Sequence, residues 1–302
     1  MRYSEIEEFI HGLNSTDDIT VSVEQIGTSY EGRNITAVKL STSPTNTKAI
    51  LIDANIHARE WITSATATWI INELVSNPTQ YSDVLDGVDY FIIPLINPDG
   101  YEHAQTVDRM WRKTRSVNAG STCRGCDPNR NFPYQFGGEG TSSVPCSDIF
   151  KGNEALSESE TKALSDYIQR LVADETVNVL AYLTFHSYGQ LWLTPWGYTA
   201  GAYPEDHEEQ ISLGKAATEA LAEINGTQYT YGTGADVLYG VGGASDDYAK
   251  ISGIKYSVTV EMRDEDEFGF VLPPDQIIPN AQEIMAAVRE VAIRVRQEAV
   301  TL

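Results

Sequence analysis

Apolar and polar positions along the chain fall into short runs with no long gap between them. Runs rich in β-branched and aromatic residues occupy 19–27 (ITVSVEQIG), 35–42 (ITAVKLST), 48–56 (KAILIDANI), 89–97 (DYFIIPLIN), 178–186 (NVLAYLTFH) and 254–261 (IKYSVTVE), and read as strands. Several are apolar at successive rather than alternate positions, as for strands covered by helices on both faces. Helical periodicity appears near 61–77, 158–173 and 205–224, and in a long segment from about 279 to 300. Ser157, with Glu160 three residues on, has the form of a capping box at the start of the second. Strands alternating with helices predict an α/β sheet. The stretch 115–153, rich in Gly, Ser, Asn and Cys, reads as long loops, and no repeat or low-complexity linker divides the chain into more than one domain.

Composition adjusts this picture modestly. A chain of 302 residues suits a single α/β enzyme, and 41% apolar residues supply a sizeable core, which excludes general disorder. No apolar run approaches the length needed to cross a bilayer. The N-terminus MRYSEIEEFIHGL lacks the apolar centre of a signal peptide, so any targeting segment is expected to lie outside this chain. A formal charge of −22 makes nucleic acid a poor partner. Such a charge either attracts cationic ligands or simply keeps an extracellular protein soluble. Of three cysteines, Cys123 and Cys126 form a C-x-x-C, but no second pair completes a structural zinc site. One disulfide and one spare thiol are expected, which favours an oxidising compartment. Sequons begin at Asn14, Asn34 and Asn225.

Chemistry concentrates where strands end. The run 48–56 stops just before His57 and Glu60, 178–186 ends in His186, and 254–261 ends in Glu261. Ligands bind at the carboxyl ends of strands in open α/β sheets. Of the five histidines, His11, His103 and His207 lie in polar contexts and are expected to be exposed. Two histidines and one carboxylate, with a fourth position open to water, form the catalytic zinc pattern. A separate carboxylate must then take the proton of water, and Glu261 is the candidate.

The stretches IHAREWIT, NPDGYE, DRMWRKTRS, DPNRNFP, FHSYGQL, YGVGGASDDY and YSVTVEMRD, followed by FGFVLPPDQIIP, run in order over nearly the whole chain. In them the sequence resembles the secreted zinc metallocarboxypeptidases of the pancreatic A/B digestive type, and most of all the B group. The resemblance implies a mixed, about eight-stranded sheet flanked by helices in one catalytic domain over 1–302, without signal peptide or prodomain. It implies one Zn2+ per chain on His57, Glu60 and His186, with Glu261 as general base and later proton donor. Arg112 would stabilise the oxyanion, and Asn129 and Arg130 would hold the C-terminal carboxylate of a peptide. Tyr239 would close over the substrate, while Arg59, Ser187 and Tyr188 would line its path. Asp246 at the pocket floor, with the small Gly234, would favour C-terminal Lys and Arg, although Gly197 stands where the basic group tends to carry serine. Cys123 and Cys146 would be bridged, leaving Cys126 free.

The implied partners are peptide and protein C-termini, protein carboxypeptidase inhibitors and a prodomain, for a monomeric, secreted enzyme that meets neither nucleic acid nor membrane. Competing readings are aromatic or aliphatic preference, deacylation of a small amino-acid conjugate, and a non-catalytic peptide-binding relative. From the residues alone, Arg112 and Arg130 fit loop salt bridges better than substrate contacts, and Asp246 also fits a turn cap. An exopeptidase nevertheless needs a fork of donors for a carboxylate, which arginine provides.

Overall fold

The computed structural model describes residues 1–299. Eight strands form one mixed sheet: β1 (Thr20–Thr28), β2 (Asn34–Ser41), β3 (Lys48–Ala54), β4 (Val88–Ile93), β5 (Asn178–Ser187), β6 (Leu191–Thr194), β7 (Thr230–Thr233) and β8 (Tyr256–Met262). Their spatial order is β1-β2-β4-β3-β5-β8-β6-β7. The centre, β4-β3-β5-β8, is parallel, while β1, β2 and β6 join antiparallel to their inner neighbours. Among the described residues the α-helical segments are α1 (Tyr3–His11), α2 (Trp61–Ser76), α3 (Ser82–Leu85), α4 (Pro98–Thr106), α5 (Ser159–Val172), α6 (His207–Asn225), α7 (Gly234–Val237), α8 (Ser245–Ile251) and α9 (Ile277–Gln297).

The successive apolar positions of the central strands serve two cores. Ile50 and Ile52 of β3 face the cluster that holds Ile70, Leu74, Ile284, Val288 and Val291 of α2 and α9. Ala49 and Leu51 face the opposite cluster, with Leu164, Tyr167 and Ile168 of α5. All four β3 residues have no exposed surface. At roughly 1.5–3 kcal/mol per fully buried large aliphatic side chain, this double burial fixes the register of the strands that carry the site. Helix α9 follows from its stripe Ile284, Val288, Val291 and Val295, three or four residues apart.

All six predicted strands and all four predicted helices are present. The strands at 48–56 and 89–97 stop earlier than expected, at Ala54 and Ile93. Strands β6 and β7 are four residues each, too short for a periodic signal, and α1, α3, α4, α7 and α8 escaped for similar reasons. The last residue of the segment 279–300 lies outside the described residues. The expected capping box at Ser157 and Glu160 does not form, because the loop network captures its parts. Ser157 Oγ donates to Glu158 Oε1 (3.1 Å) and accepts from Asn131 Nδ2 (3.1 Å), and Glu158, the residue before α5, accepts the hydroxyls of Thr114 and Ser116. His103 and His207 are half-buried rather than exposed, each packed against an aromatic ring, edge-on to Trp111 and tilted against Tyr203 respectively.

Cys123 and Cys146 are bridged, with Cα atoms 5.1 Å apart and a sequence separation of 23. Cys126 is free and fully buried, and burial pushes its thiol well above its ordinary pKa. A loop of this length stabilises by about 3 kcal/mol in the chain-entropy model. Replacing both bridge cysteines with serine is expected to lower unfolding free energy by about that much in denaturant titration. Peptide mapping without reduction should recover the Cys123–Cys146 pair, with Cys126 alkylated only after unfolding.

Candidate active site

Strands β3, β5 and β8 lie side by side and parallel, so their carboxyl ends reach one edge at one level. Ala54 pairs with Phe185, and His186 pairs with Glu261. After β3 the chain turns at Asn55, whose φ of 59° is the left-handed conformation that asparagine tolerates. Asn55 N donates to Thr63 Oγ1 (2.9 Å), and Asn55 Nδ2 and Thr63 Oγ1 both donate to the Glu60 carbonyl (3.1 and 2.8 Å). These bonds lock the turn that carries His57 and set Glu60 at the entrance to α2.

The three side chains then meet. Glu60 Oε1 is 2.9 Å from His57 Nδ1, Glu60 Oε2 is 3.3 Å from His186 Nδ1, and the two Nδ1 atoms are 3.2 Å apart. All three residues are buried, and they form the one such metal-holding group among the described residues. Tetrahedral zinc with bonds of about 2.0–2.1 Å spaces its ligands about 3.3 Å apart, so atoms and spacings both fit zinc. Ser187 N donates to Glu60 Oε2 (3.2 Å) and steadies the carboxylate.

Asp127, which the sequence reading passed over, binds these parts together. Its Oδ1 accepts from His57 Nε2 (3.0 Å) and Asn129 N (3.0 Å), and its Oδ2 from Arg112 Nε (3.0 Å) and Nη2 (2.7 Å). Burial alone would raise its pKa, but Arg112, Arg130 and His57 outweigh it and hold the carboxyl well below its ordinary range. The sequence signal was Asp before Pro, a common turn opening: Asp127 caps the short 3-10 turn Pro128–Arg130. Arg130 is 3% exposed; its Nε and Nη1 donate to Gly140 O (2.8 Å) and Asn129 O (3.0 Å), leaving Nη2 outside those bonds. Asn129 Oδ1 accepts from Ser245 N (2.9 Å) and so ties this turn to α8.

A cavity of about 350 Å³ opens above the three histidine and glutamate ligand atoms. Its wall contains every non-cysteine site residue that the resemblance implied: His57, Arg59, Glu60, Arg112, Asn129, Arg130, His186, Ser187, Tyr188, Gly234, Tyr239, Asp246 and Glu261, with Gly197. Reading the sequence missed Leu193, Thr259 and Phe270, which also line it. Arg59 stacks on Phe270, its guanidinium 4.2 Å from the ring centre, and reaches Asp148 at 3.4 Å. Tyr188 OH donates to Asp266 Oδ1 (2.8 Å), while Tyr239 is 57% exposed at the mouth. Burial raises Glu261 to about 7; His186, Arg112 and Arg130 pull it down and Glu60 pushes it up. Asp246 faces the cavity, whereas its neighbour Asp247 lies behind Gly197 and accepts from Gly197 N (2.8 Å). A larger apolar cavity of about 650 Å³ lies beyond Phe270, between Trp61, Trp69 and Leu272, but gathers no cluster of titratable groups.

The zinc carboxypeptidase family model, peptidase M14, matches residues 6–287. The chain belongs to the zinc carboxypeptidase family. It is 44% identical over 293 residues to carboxypeptidase B of Astacus astacus, covering 96% of this chain and 95% of that one. It is 43% identical over 282 residues to bovine carboxypeptidase A1, covering 92% and 66%. Bovine thrombin-activatable fibrinolysis inhibitor, solved in complex with tick carboxypeptidase inhibitor, superposes with a TM-score of 0.91 at 36% identity, covering 98% and 97%. This is a metallocarboxypeptidase, a peptide hydrolase whose family implies zinc. Among the described residues no helix is long and apolar enough to cross a membrane.

Partners that orient a ligating histidine are typically worth 10–100-fold in metal affinity. Replacing Asp127 with asparagine leaves the shape but removes the charge shared by His57 and Arg112. Zinc affinity, read by competition with a chromogenic chelator, is expected to fall about tenfold or more. Unchanged affinity would reduce Asp127 to a loop anchor.

Proposed function

We propose that this metallocarboxypeptidase, a monomer with one zinc per chain, releases C-terminal lysine and arginine from peptides and proteins. The observation that carries the basic preference is Asp246, a carboxylate 5% exposed at the cavity wall that forms no ion pair among the described residues. A lysine or arginine side chain would reach it along an apolar stem, while a hydrophobic side chain would leave it unanswered, at a cost of several kcal/mol if ionised. Gly234, with Gly197 Cα 3.3 Å from where its Cβ would sit, keeps the slot open for such a chain. Carboxypeptidase B relatives at 40–44% identity support this reading, while carboxypeptidase A1 relatives at 41–43% keep the aromatic or aliphatic alternative in play.

His57 Nδ1, His186 Nδ1 and the Glu60 carboxylate would hold the zinc. When bound, zinc polarises the scissile carbonyl and makes a water acidic enough to attack near neutral pH. Arg130, through the unused end of its fork, and Asn129 would grip the terminal carboxylate and so restrict cleavage to the last peptide bond. Arg112 is held side-on by Asp127 with Nη1 4.0 Å from Glu60 Oε1; it would present a fixed positive charge where the oxyanion develops. Glu261, at the end of β8 beside His186, would take the proton of the attacking water and return it to the leaving amine. A carboxyl raised to about 7 suits both steps. Tyr239 would fold over the bound residue, and Arg59, Ser187 and Tyr188 would guide the preceding chain. The disulfide supports an extracellular setting. The inhibitor complex of the structural relative supports protein inhibitors as partners.

Chelation is expected to abolish hydrolysis and added zinc to restore it; activity in metal-free protein would end the mechanism. Glu261→Gln should retain zinc and peptide binding but lose about 10⁴-fold or more in kcat, since one group serves both proton transfers. For specificity, peptides ending in Arg or Lys should be cleaved far faster than those ending in Phe or Leu. Asp246→Ile should invert that order. Equal or faster release of Phe by the unmodified enzyme would favour the aromatic alternative.

A further inference from the structure

Behind the pocket floor stands a second carboxyl group beside that of Asp246. Asp246 and Asp247 are consecutive in the first turn of α8, where neighbouring side chains diverge by about 100°. Even so, both come to Gly197. A Cβ placed on Gly197 would lie 3.8 Å from both carboxylate oxygens of Asp247 and 3.9 Å from Asp246 Oδ2. Gly197 itself is part of the cavity wall. The two carboxylates therefore converge on a patch of wall that has no side chain.

Asp247 is only partly satisfied. It is 1% exposed; Oδ1 accepts the Gly197 N–H, but Oδ2 is buried with no partner. The cation on the same helix, Lys250, is bonded instead to Asp206 (2.5 Å). Burial and the charge of Asp246 together push Asp247 up to about 8, as expected for two acids that share a dry site without a counter-ion.

We infer that Asp247 is a second specificity-determining carboxylate, reached across Gly197, and that the floor therefore takes a guanidinium in preference to an ammonium. This deepens the basic-preference reading and rests on it. An ammonium is a compact point charge that Asp246 alone can answer. A guanidinium is a planar fork with five N–H donors and two usable edges, so one edge can meet Asp246 while the other turns to the unpaired Oδ2 of Asp247. Any side chain at position 197 would stand between them.

The test is kcat/KM for matched peptides ending in Arg, Lys and Phe, measured on the zinc-loaded enzyme and two variants. Asp247→Asn keeps an acceptor for the Gly197 N–H and replaces Oδ2 with an amide. The methyl group of Gly197→Ala meets nothing nearer than those carboxylate oxygens, at ordinary contact distance, so this variant should fold even if the first does not. The unmodified enzyme should favour Arg over Lys by about tenfold or more, the size of one charge-assisted hydrogen bond. In both variants that ratio should fall toward one through loss on Arg, with Lys still preferred over Phe. An Arg-to-Lys ratio that stays the same, or Arg and Lys falling together, would make Asp247 a backbone anchor and overturn the inference. Phe cleaved as fast as both basic residues by the unmodified enzyme would instead show that the basic-preference reading had failed.

Discussion

One buried carboxylate, Asp127, joins pieces of chain that would otherwise have no reason to share a site. His57 comes from the end of β3, Arg112 from the loop after α4, and Asn129 and Arg130 from the turn that Asp127 itself caps. Each is hydrogen-bonded to Asp127 or lies within 3.7 Å of it. Two arginines in one small volume repel each other, and Arg112 indeed lowers the pKa of Arg130, with burial the larger cause. Asp127 makes the grouping stable. Its carboxyl is held far below the ordinary range, so the stabilisation is complete above an unfolded pKa near 4 and is lost only as pH falls through the depressed folded value. The donors are thus fixed before substrate arrives, which is what electrostatic catalysis needs.

In the proposed function the site divides into a metal half and a specificity half, which have different structural foundations. The metal half stands on β3, β5 and β8, long strands buried on both faces whose register is set by two cores. The specificity half stands on the short edge: Leu193 is in β6, Gly197 follows it, and Gly234 follows β7. This arrangement separates chemistry from selectivity. Packing of the central strands cannot change without moving ligand atoms spaced to within a few tenths of an ångström, whereas the edge strands contribute walls rather than ligands.

The same division explains what could be read from sequence. His57, Glu60, His186 and Glu261 announced themselves because each sits at the end of a long apolar run, so topology alone brings them together. The pocket residues Asp246 and Gly234 carried no such signal and were placed only by resemblance to known carboxypeptidases. Strands β6 and β7 are too short for any period to show. Asp127 was missed because its role depends on partners far away in sequence; locally it is only an acid before a proline. The false capping box at Ser157 and Glu160 failed for the same reason, since Asn131 bonds Ser157 and Tyr30 N bonds Glu160 from distant segments. Local patterns report local competition, and these outcomes were decided by tertiary contacts.

Buried carboxylates in this fold sort by what answers them. Asp99 has Arg33 at 2.7 Å, and Glu283 has Arg263, with Nε at 2.9 Å. Asp53, in the middle of the sheet, has no cation but accepts the hydroxyls of Tyr182 and Thr184, and burial lifts it only to about 6. Asp246 and Glu261 form no ion pair among the described residues, and burial raises both, although Thr259 and backbone N–H groups pull Asp246 part of the way back. An unanswered buried carboxylate destabilises, and a well-packed apolar residue in its place is often neutral or better. Stability therefore gives no reason to keep these two, and both lie on the wall of one cavity. In the proposed function the missing partners are supplied from outside: a proton for Glu261 and a cation for Asp246.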